Sequence, residues 1–267
     1  MYAFQYRKAQ SLKEAVDWLA KDEDAKPMSG GMTLIPTLKA RLAQPTQLID
    51  IAGLAELAGI ESKGGVLTIG AATRHQQVAS SKAVKDALPA LAALASGIAD
   101  PQVRNRGTIG GSVANNDPAA DYPSAVLGLN AKVVTNQREI AADDFFQGMF
   151  TTALEPGELI VKIAFPLPKK AAYAKFPHPA SGYAMAGVFI ADTASGVRVA
   201  VTGAGASGVF RWKEAEQALA KGISAAAIDK LTLSADDINE DMHGSREYRA
   251  QLVKVMAGRA AAAIADK

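Results

Sequence analysis

Ser29-Gly30-Gly31-Met32-Thr33 is the most informative stretch of this chain, and Thr108-Ile109-Gly110-Gly111-Ser112 repeats its character further along. Each stretch follows or interrupts an apolar segment with extended character. Glycine has no Cβ, so it adopts positive φ angles and lets consecutive N–H groups converge on one point, as in a backbone nest that binds anions. Two such loops, about one small domain apart, predict one extended ligand bound from two sides, with a diphosphate as the expected anion.

The residues around the first loop predict a β–loop–α–β unit. Ala25 to Met28 forms a short apolar step, Leu34 to Leu42 favours a turn or two of helix, and Gln47 to Ile51 is typical of a strand. Upstream, capping-box spacing at Ser11 and a helical apolar period predict a helix from about Leu12 to Ala20. A Gly-Gly loop that opens a helix is a common way to present backbone amides to a phosphate.

The residues around the second loop predict further strands and helices. Gly64-Gly65 turns the chain into a strand over Val66 to Ala71, and Thr73-Arg74-His75-Gln76 has capping-box spacing. This box opens a predicted helical region to about Ser96, with a break at Pro89. Further on, we expect a helix over Ala125 to Leu129 and strands over Lys132 to Thr135 and Leu159 to Phe165.

The sequence changes character after Pro166-Leu167-Pro168-Lys169-Lys170. Two prolines restrict the backbone and two lysines favour solvent, so this segment predicts a linker. Antiparallel strands are then expected at Tyr173 to Phe176, Tyr183 to Ala191 and Val197 to Ala204, followed from about Lys213 by alanine-rich helices. The pattern predicts an α+β protein with a cofactor-binding region to about residue 168 and a smaller C-terminal domain.

Composition excludes several classes of function. The 267 residues carry 29 basic and 27 acidic side chains with no basic, aromatic-interleaved run, so no nucleic-acid partner is expected. The chain has no cysteine, and its three histidines lack metal-ligand spacing, so we expect no disulfide, iron–sulfur cluster or metal site within it. No stretch approaches the roughly 18 apolar residues of a membrane span, and no signal core is evident, which predicts a cytoplasmic protein.

Five motifs carry a resemblance to a known family. They are Ser29-Gly30-Gly31-Met32-Thr33-Leu34, Ala99-Asp100-Pro101-Gln102-Val103-Arg104, Thr108-Ile109-Gly110-Gly111-Ser112 followed by Asn115-x-Asp117-Pro118-x-x-Asp121, Glu155-Pro156-Gly157-Glu158-Leu159-Ile160, and Tyr173-Ala174-Lys175-Phe176. With these motifs in this order, the chain resembles the FAD-binding medium subunit of molybdenum hydroxylases. That family includes the carbon monoxide dehydrogenase flavoprotein and the xanthine dehydrogenase FAD subunit. The resemblance runs from about Tyr6 to the final helix.

The resemblance implies a fold and a domain division. The implied fold class is α+β: a two-subdomain FAD-binding fold of the vanillyl-alcohol oxidase type, plus a C-terminal domain with a three-stranded antiparallel sheet and helices. The FAD-binding domain would cover residues 1–168, with subdomains at about 1–55 and 56–168. The flavoprotein C-terminal domain would cover residues 171–267, and FAD would lie between the two N-terminal subdomains.

The resemblance also implies a set of FAD-binding residues. The set is Met28, Ser29, Gly30, Gly31, Met32, Thr33, Leu34 and Ile35 within the segment Pro27 to Ile35, then Ile98, Thr108, Ile109, Gly110, Gly111, Ser112, Asp121, Ile160, Lys175 and Tyr183. The glycine amides of both loops would bind the diphosphate, with further donors from the hydroxyls of Thr33, Thr108 and Ser112.

The remaining members of the set would contact the rest of the cofactor. Asp121 would accept a hydrogen bond from a ribityl or ribose hydroxyl, and Lys175 would place a cation near flavin or phosphate oxygens. Ile98 and Ile160 would make apolar contacts. Tyr183 would lie against the isoalloxazine ring.

Taken alone, several of these residues have plainer interpretations. A Gly-Gly pair is commonly a simple turn, Lys175 could be a surface charge at a strand edge, and Tyr183 could be a core residue at the start of a strand. His178 lies between two prolines and is a candidate acid or base, because imidazole as a side-chain type titrates near neutrality. Electron transfer through a flavin requires no substrate-directed base, so no catalytic residue is predicted.

The implied function is that of an oxidoreductase, as the FAD-carrying electron-transfer subunit of a molybdenum hydroxylase complex. A large molybdopterin subunit would oxidise substrate, the [2Fe–2S] clusters of a small subunit would relay the electrons, and FAD would pass them to an external acceptor. The implied assembly is a dimer of heterotrimers. Two alternatives stay open: a stand-alone FAD-dependent oxidase or reductase of the same superfamily, and a non-enzymatic nucleotide-binding or scaffold protein.

Overall fold

The first glycine loop follows a strand of a small parallel sheet near the N-terminus. The computed structural model describes residues 1–265 of the chain. This region contains β1 (Gln5–Lys8), α1 (Leu12–Leu19), β2 (Lys26–Met28), α2 (Leu34–Lys39) and β3 (Gln47–Asp50). Strands β1 and β2 both pair in parallel with β3. The predicted β–loop–α–β unit is therefore confirmed, with residues 29–33 between the end of β2 and the start of α2.

An antiparallel sheet of five strands and the helices between its strands form the middle of the molecule. The elements of this region are β4 (Ile60–Lys63), β5 (Val66–Gly70), α3 (His75–Ser80), α4 (Lys82–Ala87), α5 (Pro89–Ser96), α6 (Pro101–Arg104), α7 (Ile109–Asn115), α8 (Tyr122–Gly128), β6 (Lys132–Thr135), β7 (Glu139–Ala141), α9 (Ala142–Phe145) and β10 (Ile160–Pro166). The order of the strands in the sheet is β4-β5-β10-β6-β7. A separate hairpin of β8 (Phe146–Gly148) and β9 (Thr151–Thr152) precedes β10. The strands predicted at Val66, Lys132 and Leu159 are confirmed to within one residue at each end.

The predicted helical region after β5 differs in two details. The N-cap of α3 is Arg74, whose amide donates to Gln77 Oε1 (2.9 Å). The hydroxyl of Thr73, the predicted cap, donates instead to the carbonyl of Gly59, a contact between distant segments that spacing alone does not reveal. The helix breaks at Pro89 as predicted and also at Ser81, whose hydroxyl caps α4.

The C-terminal region is an antiparallel sheet covered by helices. Its elements are β11 (Lys170–Pro177), β12 (Ala184–Thr193), β13 (Gly196–Thr202), β14 (Phe210–Arg211), α10 (Lys213–Leu219), α11 (Ala225–Asp229) and α12 (Arg246–Ala265). The expected three-stranded sheet has a fourth strand, β14, which pairs with β13. Because β14 has two residues, it has no alternation that sequence could show.

The central and C-terminal sheets share one apolar core. Helix α8 contacts β12 and β13, and all seven of its residues are buried. Phe189 and Ala200 of the C-terminal sheet belong to the same cluster as Leu67 and Ile163 of the central sheet. The two sheets are therefore packed against each other through α8.

The connection between the two sheets is shorter than the predicted linker. Pro166 is the last residue of β10 and Lys170 is the first of β11, so three residues separate the strands. Leu167 packs against the shared core. This short connection agrees with a fixed arrangement of the two sheets; Lys169 and Lys170 are exposed as expected, but the free spacer is only three residues long.

Candidate functional site

A cleft of about 730 Å³ lies where the three regions meet. Its walls come from the β2–α2 loop, the start of α7, the segment before α6 and the loop between β11 and β12. The predicted residues that line it are Met28, Ser29, Gly30, Gly31, Met32, Thr33, Leu34, Ile98, Thr108, Gly110, Gly111, Ser112, Asp121, Ile160 and Tyr183. Ile35, Ile109 and Lys175 do not line it. The fold thus brings most of the predicted set together.

The first glycine loop presents unpaired backbone donors to this cleft. Within residues 1–265, the amides of Ser29, Gly30, Gly31, Met32 and Thr33 have no acceptor. Gly31 has a φ of +71°, a conformation that a residue with a Cβ adopts only with strain. Consecutive free N–H groups beside a left-handed glycine are the arrangement of an anion-binding nest.

The second glycine loop forms the first turn of α7, and its amides are already used. The amide of Gly110 donates to the carbonyl of Ala71 (2.9 Å), and that of Gly111 donates to Thr108 Oγ1 (3.2 Å). These helix-start amides are bonded within the protein, so the donation of both glycines to a diphosphate stays a prediction and is not supported by free donors in this structure. Gly110 is required for packing, since a Cβ there would overlap the backbone of Ala71.

The two loops nevertheless touch each other. Thr108 Oγ1 donates to Ser29 Oγ at 3.1 Å. A Cβ on Gly30 would overlap the carbonyl oxygen of Arg106, so only glycine allows this close approach. The second loop therefore supports the first loop from behind, and the free donors belong to the first.

Lys175 lies behind the wall of the cleft and bridges three segments. Its Nζ donates to the carbonyls of Gly97 (2.8 Å) and Gly182 (3.0 Å) and lies 3.0 Å from Asp121 Oδ1. An ammonium group has three protons, and three oxygen-bearing partners use them here. The predicted contact between Lys175 and a cofactor is therefore not supported; this lysine holds the wall together.

Asp121 is buried beside Lys175 and borders the cleft. Its Oδ1 also accepts a hydrogen bond from the Tyr173 hydroxyl at 2.5 Å. Burial raises the pKa of the Asp121 carboxyl, and the charge of Lys175 and the hydrogen bonds from Tyr173 and Lys175 oppose that shift. The carboxylate accepts two internal donors and retains lone pairs for a hydroxyl in the cleft.

Two further residues shape the cleft wall: His75 lines the cleft, and Arg104 holds the segment of Ile98 and Ala99 that lines it. Arg104 Nη1 donates to the carbonyls of Ile98 (2.8 Å) and Ala99 (2.9 Å), which holds Ala99 at a φ of +40°. His75 lines the cleft, and burial followed by the charge of Arg104 lowers its pKa to about 4. His75 is therefore neutral near pH 7. The sequence signal for His75 was its place in a capping-box pattern, whereas Arg104 was a candidate to face a phosphate or a partner.

Tyr183 lies at the mouth of the cleft. It precedes β12 instead of starting it, and its side chain is 43% exposed, so the core interpretation is wrong. Burial, and then the charges of Asp117 and Asp121, raise the pKa of its hydroxyl. Tyr183 is therefore protonated near neutral pH, and it lines the cleft.

Comparison with known proteins decides the family. Residues 2–168 match the family described as the FAD binding domain in molybdopterin dehydrogenase. The chain belongs to this family. Among its curated relatives, the carbon monoxide dehydrogenase medium chain of Afipia carboxidovorans is 35% identical, over 97% of this chain and 95% of the relative. The nicotine 6-hydroxylase medium subunit of Paenarthrobacter nicotinovorans is 36% identical, over 94% of each chain.

Solved structures place this FAD-binding chain in the same group. Carbon monoxide dehydrogenase from Hydrogenophaga pseudoflava superposes with a TM-score of 0.87 at 36% identity, covering 97% of this chain and 96% of that one. Quinoline 2-oxidoreductase from Pseudomonas putida 86 gives a TM-score of 0.89 at 29% identity, covering 99% and 98%. The chain is an oxidoreductase subunit of the molybdopterin dehydrogenase family, with a mixed α and β fold that matches the flavoproteins of these enzymes.

The cleft of this FAD-binding chain fits a dinucleotide cofactor. Its volume lies within the range typical of small-molecule and cofactor sites. One end offers the free amides of residues 29–33 for an anion, and the walls include the apolar side chains of Leu57, Leu154 and Ile160 for a ring system. Among residues 1–265, no cluster of side chains is suited to hold a metal ion, and no helix is long and apolar enough to cross a membrane.

Proposed function

We propose that this chain binds one FAD in the cleft and is the electron-transfer subunit of a molybdenum hydroxylase complex. The observation that carries the proposal is the run of amides in residues 29–33, which have no acceptor within residues 1–265 and belong to residues that line a cleft with apolar walls. A diphosphate satisfies such amides, and a flavin ring suits the apolar part. Bound FAD supplies the redox chemistry, and the protein supplies binding, orientation and electrostatics.

Each part of the cleft has a proposed role. The amides of residues 29–33 bind the diphosphate, and the hydroxyls of Thr33 and Ser112 add donors at its edge. Asp121 accepts a hydrogen bond from a cofactor hydroxyl. Ile98 and Ile160 contact apolar cofactor surface, and Tyr183 covers one face of the ring from the mouth of the cleft.

In the proposed complex, partner subunits supply the molybdopterin and the [2Fe–2S] clusters. The chain has no cysteine, so the [2Fe–2S] clusters that deliver electrons belong to a small partner subunit. A large molybdopterin subunit oxidises the substrate, and FAD passes the electrons to an external acceptor. Relatives that match nearly the whole chain are named medium chains or medium subunits, which supports this division of labour. We place the complex in the cytoplasm as a dimer of heterotrimers.

The proposed domain division follows the same family pattern. The FAD-binding domain covers residues 1–168, with subdomains at about 1–55 and 56–168, and the C-terminal domain covers residues 171–267. The family match over residues 2–168 supports the first boundary.

The main competitor is a stand-alone FAD-dependent oxidase or reductase. Such an enzyme needs an acid or base beside its substrate, and His75 is the histidine that lines the cleft within residues 1–265. Its low pKa, about 4, makes it a poor proton donor near neutral pH. This histidine therefore offers the competitor no effective proton donor near neutral pH.

Native co-purification tests the subunit role. The full chain, carrying an affinity tag, is expressed in its own host and isolated under non-denaturing conditions. We expect it to bring down two partner chains that contain molybdenum and iron. A chain that is isolated alone, carries flavin and oxidises an organic substrate unaided would contradict the subunit role and support the competitor.

A further inference from the structure

The loop that carries Tyr183 closes around the side chain of His178, in addition to the contact between Lys175 and the Gly182 carbonyl. This loop, here called the 177–183 loop, joins β11 to β12, and its residues 180–183 line the cleft. The His178 amide donates to the Tyr183 carbonyl (2.7 Å), and the Gly182 amide donates to the His178 carbonyl (2.9 Å). The loop therefore closes on itself, with His178 at the closure.

The imidazole of His178 occupies the inside of this closure. Its Nδ1 accepts hydrogen bonds from the amides of Ala180 (3.2 Å) and Ser181 (3.3 Å). An imidazole nitrogen accepts a hydrogen bond only through its lone pair, so this arrangement uses Nδ1 as the acceptor of the ring. One nitrogen atom thus accepts hydrogen bonds from two consecutive amides of the cleft wall.

A second histidine fixes the orientation of that ring. His243 packs edge-on against His178, with ring centroids 4.4 Å apart and planes at 77°. Its amide donates to Asp241 Oδ1 (2.8 Å), and Asp241 Oδ2 accepts from Arg249 (2.7 Å). Arg249 is buried and also donates to the carbonyls of Met185 and Gly203. The stack therefore connects the 177–183 loop to the packed interior of the C-terminal region.

We propose that His178 is a positioning residue: its Nδ1 accepts from two loop amides, fixes the 177–183 loop and thereby fixes the place of Tyr183 at the cofactor cleft. It acts through the loop backbone and donates no proton to a substrate or cofactor. The consequence for a bound flavin rests on the proposed function, whereas the effect on the loop backbone does not. This assignment gives His178 a role other than the acid or base that its residue type suggests.

Three substitutions separate the accepting nitrogen from the bulk of the ring. His178→Asn keeps an acceptor close to the Nδ1 position, and asparagine readily accepts from amides two and three residues ahead. His178→Phe keeps a ring that can pack against His243 but has no acceptor. His243→Ala removes the stacking partner and leaves the acceptor in place.

Hydrogen–deuterium exchange on the full chain without cofactor provides the first measurement. We expect the amides of Ala180 and Ser181 to exchange roughly fivefold faster or more in His178→Phe, which corresponds to the loss of about one net hydrogen bond each. They should stay near the wild-type rate in His178→Asn, and His243→Ala should show a smaller increase than His178→Phe. Wild-type exchange in His178→Phe would overturn the proposal, and so would equal acceleration in His178→Phe and His178→Asn.

The visible circular dichroism and fluorescence of added FAD provide the second measurement. We expect altered flavin signals in His178→Phe, because Tyr183 moves in that variant. We expect near-wild-type signals in His178→Asn, in which Tyr183 keeps its place. Wild-type flavin signals in His178→Phe would contradict the effect on Tyr183. If the wild-type chain binds no FAD, the proposed function fails, and the exchange measurement still decides the role of His178.

Discussion

Replacing Lys175 by methionine is expected to destabilise the fold strongly. Lys175→Met keeps an unbranched apolar stem and removes the ammonium, whose partners are the Asp121 carboxylate and two backbone carbonyls. The side chains of Lys175 and Asp121 are only 10% and 5% exposed, so water cannot replace the lost donor easily. Removing one member of a buried ion pair costs about 3–5 kcal/mol, because the other charge remains buried and unpaired. Whole domains are stable by about 5–15 kcal/mol, so this is a large fraction.

The loss of unfolding free energy in Lys175→Met should become smaller as pH falls. Burial raises the pKa of Asp121 in the folded state, and removing the opposing charge of Lys175 raises it further. A carboxyl with a raised folded pKa contributes stability at low pH, and this contribution is lost as pH rises through that pKa. The destabilisation by Lys175→Met should therefore be largest at neutral pH and smaller in acid.

Chemical denaturation followed by far-ultraviolet circular dichroism measures this free energy of unfolding. The double variant Asp121→Asn with Lys175→Met should recover part of the loss, because its buried side chain is uncharged. Lys169→Met is a matched control, since the Lys169 side chain is 76% exposed and lies 3.9 Å from Asp192; it should change stability by about 0.5 kcal/mol or less. A Lys175→Met variant as stable as the Lys169 control would refute the bridging role.

Three further predictions follow from other contacts. Gly30→Ala places a Cβ against the carbonyl of Arg106, so the loop must move. Isothermal titration should show FAD affinity lower by roughly tenfold or more, which corresponds to about 1.4 kcal/mol. Unchanged affinity would contradict the role of this contact. His75, with a pKa of about 4 when folded against 6.5 when unfolded, binds fewer protons in the folded state between these values. It should therefore cost stability as pH falls from about 6.5 towards 4, and His75→Gln should flatten this acid slope; a proton resonance titrating near 6.5 would show that the ring is not buried as described. Thr108→Val removes the cap on the Gly111 amide and the link to Ser29, and urea denaturation should show a loss of about 1 kcal/mol; no loss would mean that another group caps α7.

The sequence predicted which segments meet, because the segments carry strong local signals. Glycine pairs, helix caps and apolar periods marked the β2–α2 loop and the start of α7, and the order of the family motifs placed them at one site. The first loop keeps its amides free because it ends a short edge strand and begins a helix, both of which leave donors unpaired. These features are local, so residue order alone contains them.

The roles of single residues were less predictable, since they depend on partners far away in the chain. The Gly110 amide is taken by Ala71, and Lys175 is surrounded by Gly97, Asp121 and Gly182; spacing shows neither arrangement. Strand β1 escaped prediction because all four of its residues are exposed and show no alternation. The sequence thus indicated the cleft, whereas the assignment of donors within it required the structure.

Direct measurement of FAD binding by the purified full-length chain tests the central proposal. The folded chain is titrated with FAD by calorimetry alongside Gly30→Ala and a matched control, Gly258→Ala, whose added Cβ would meet nothing within 4 Å. We predict one FAD per chain for the wild type and for Gly258→Ala, and strongly weakened binding for Gly30→Ala. A folded wild-type chain that takes up no FAD would contradict the proposal that this cleft is a flavin site.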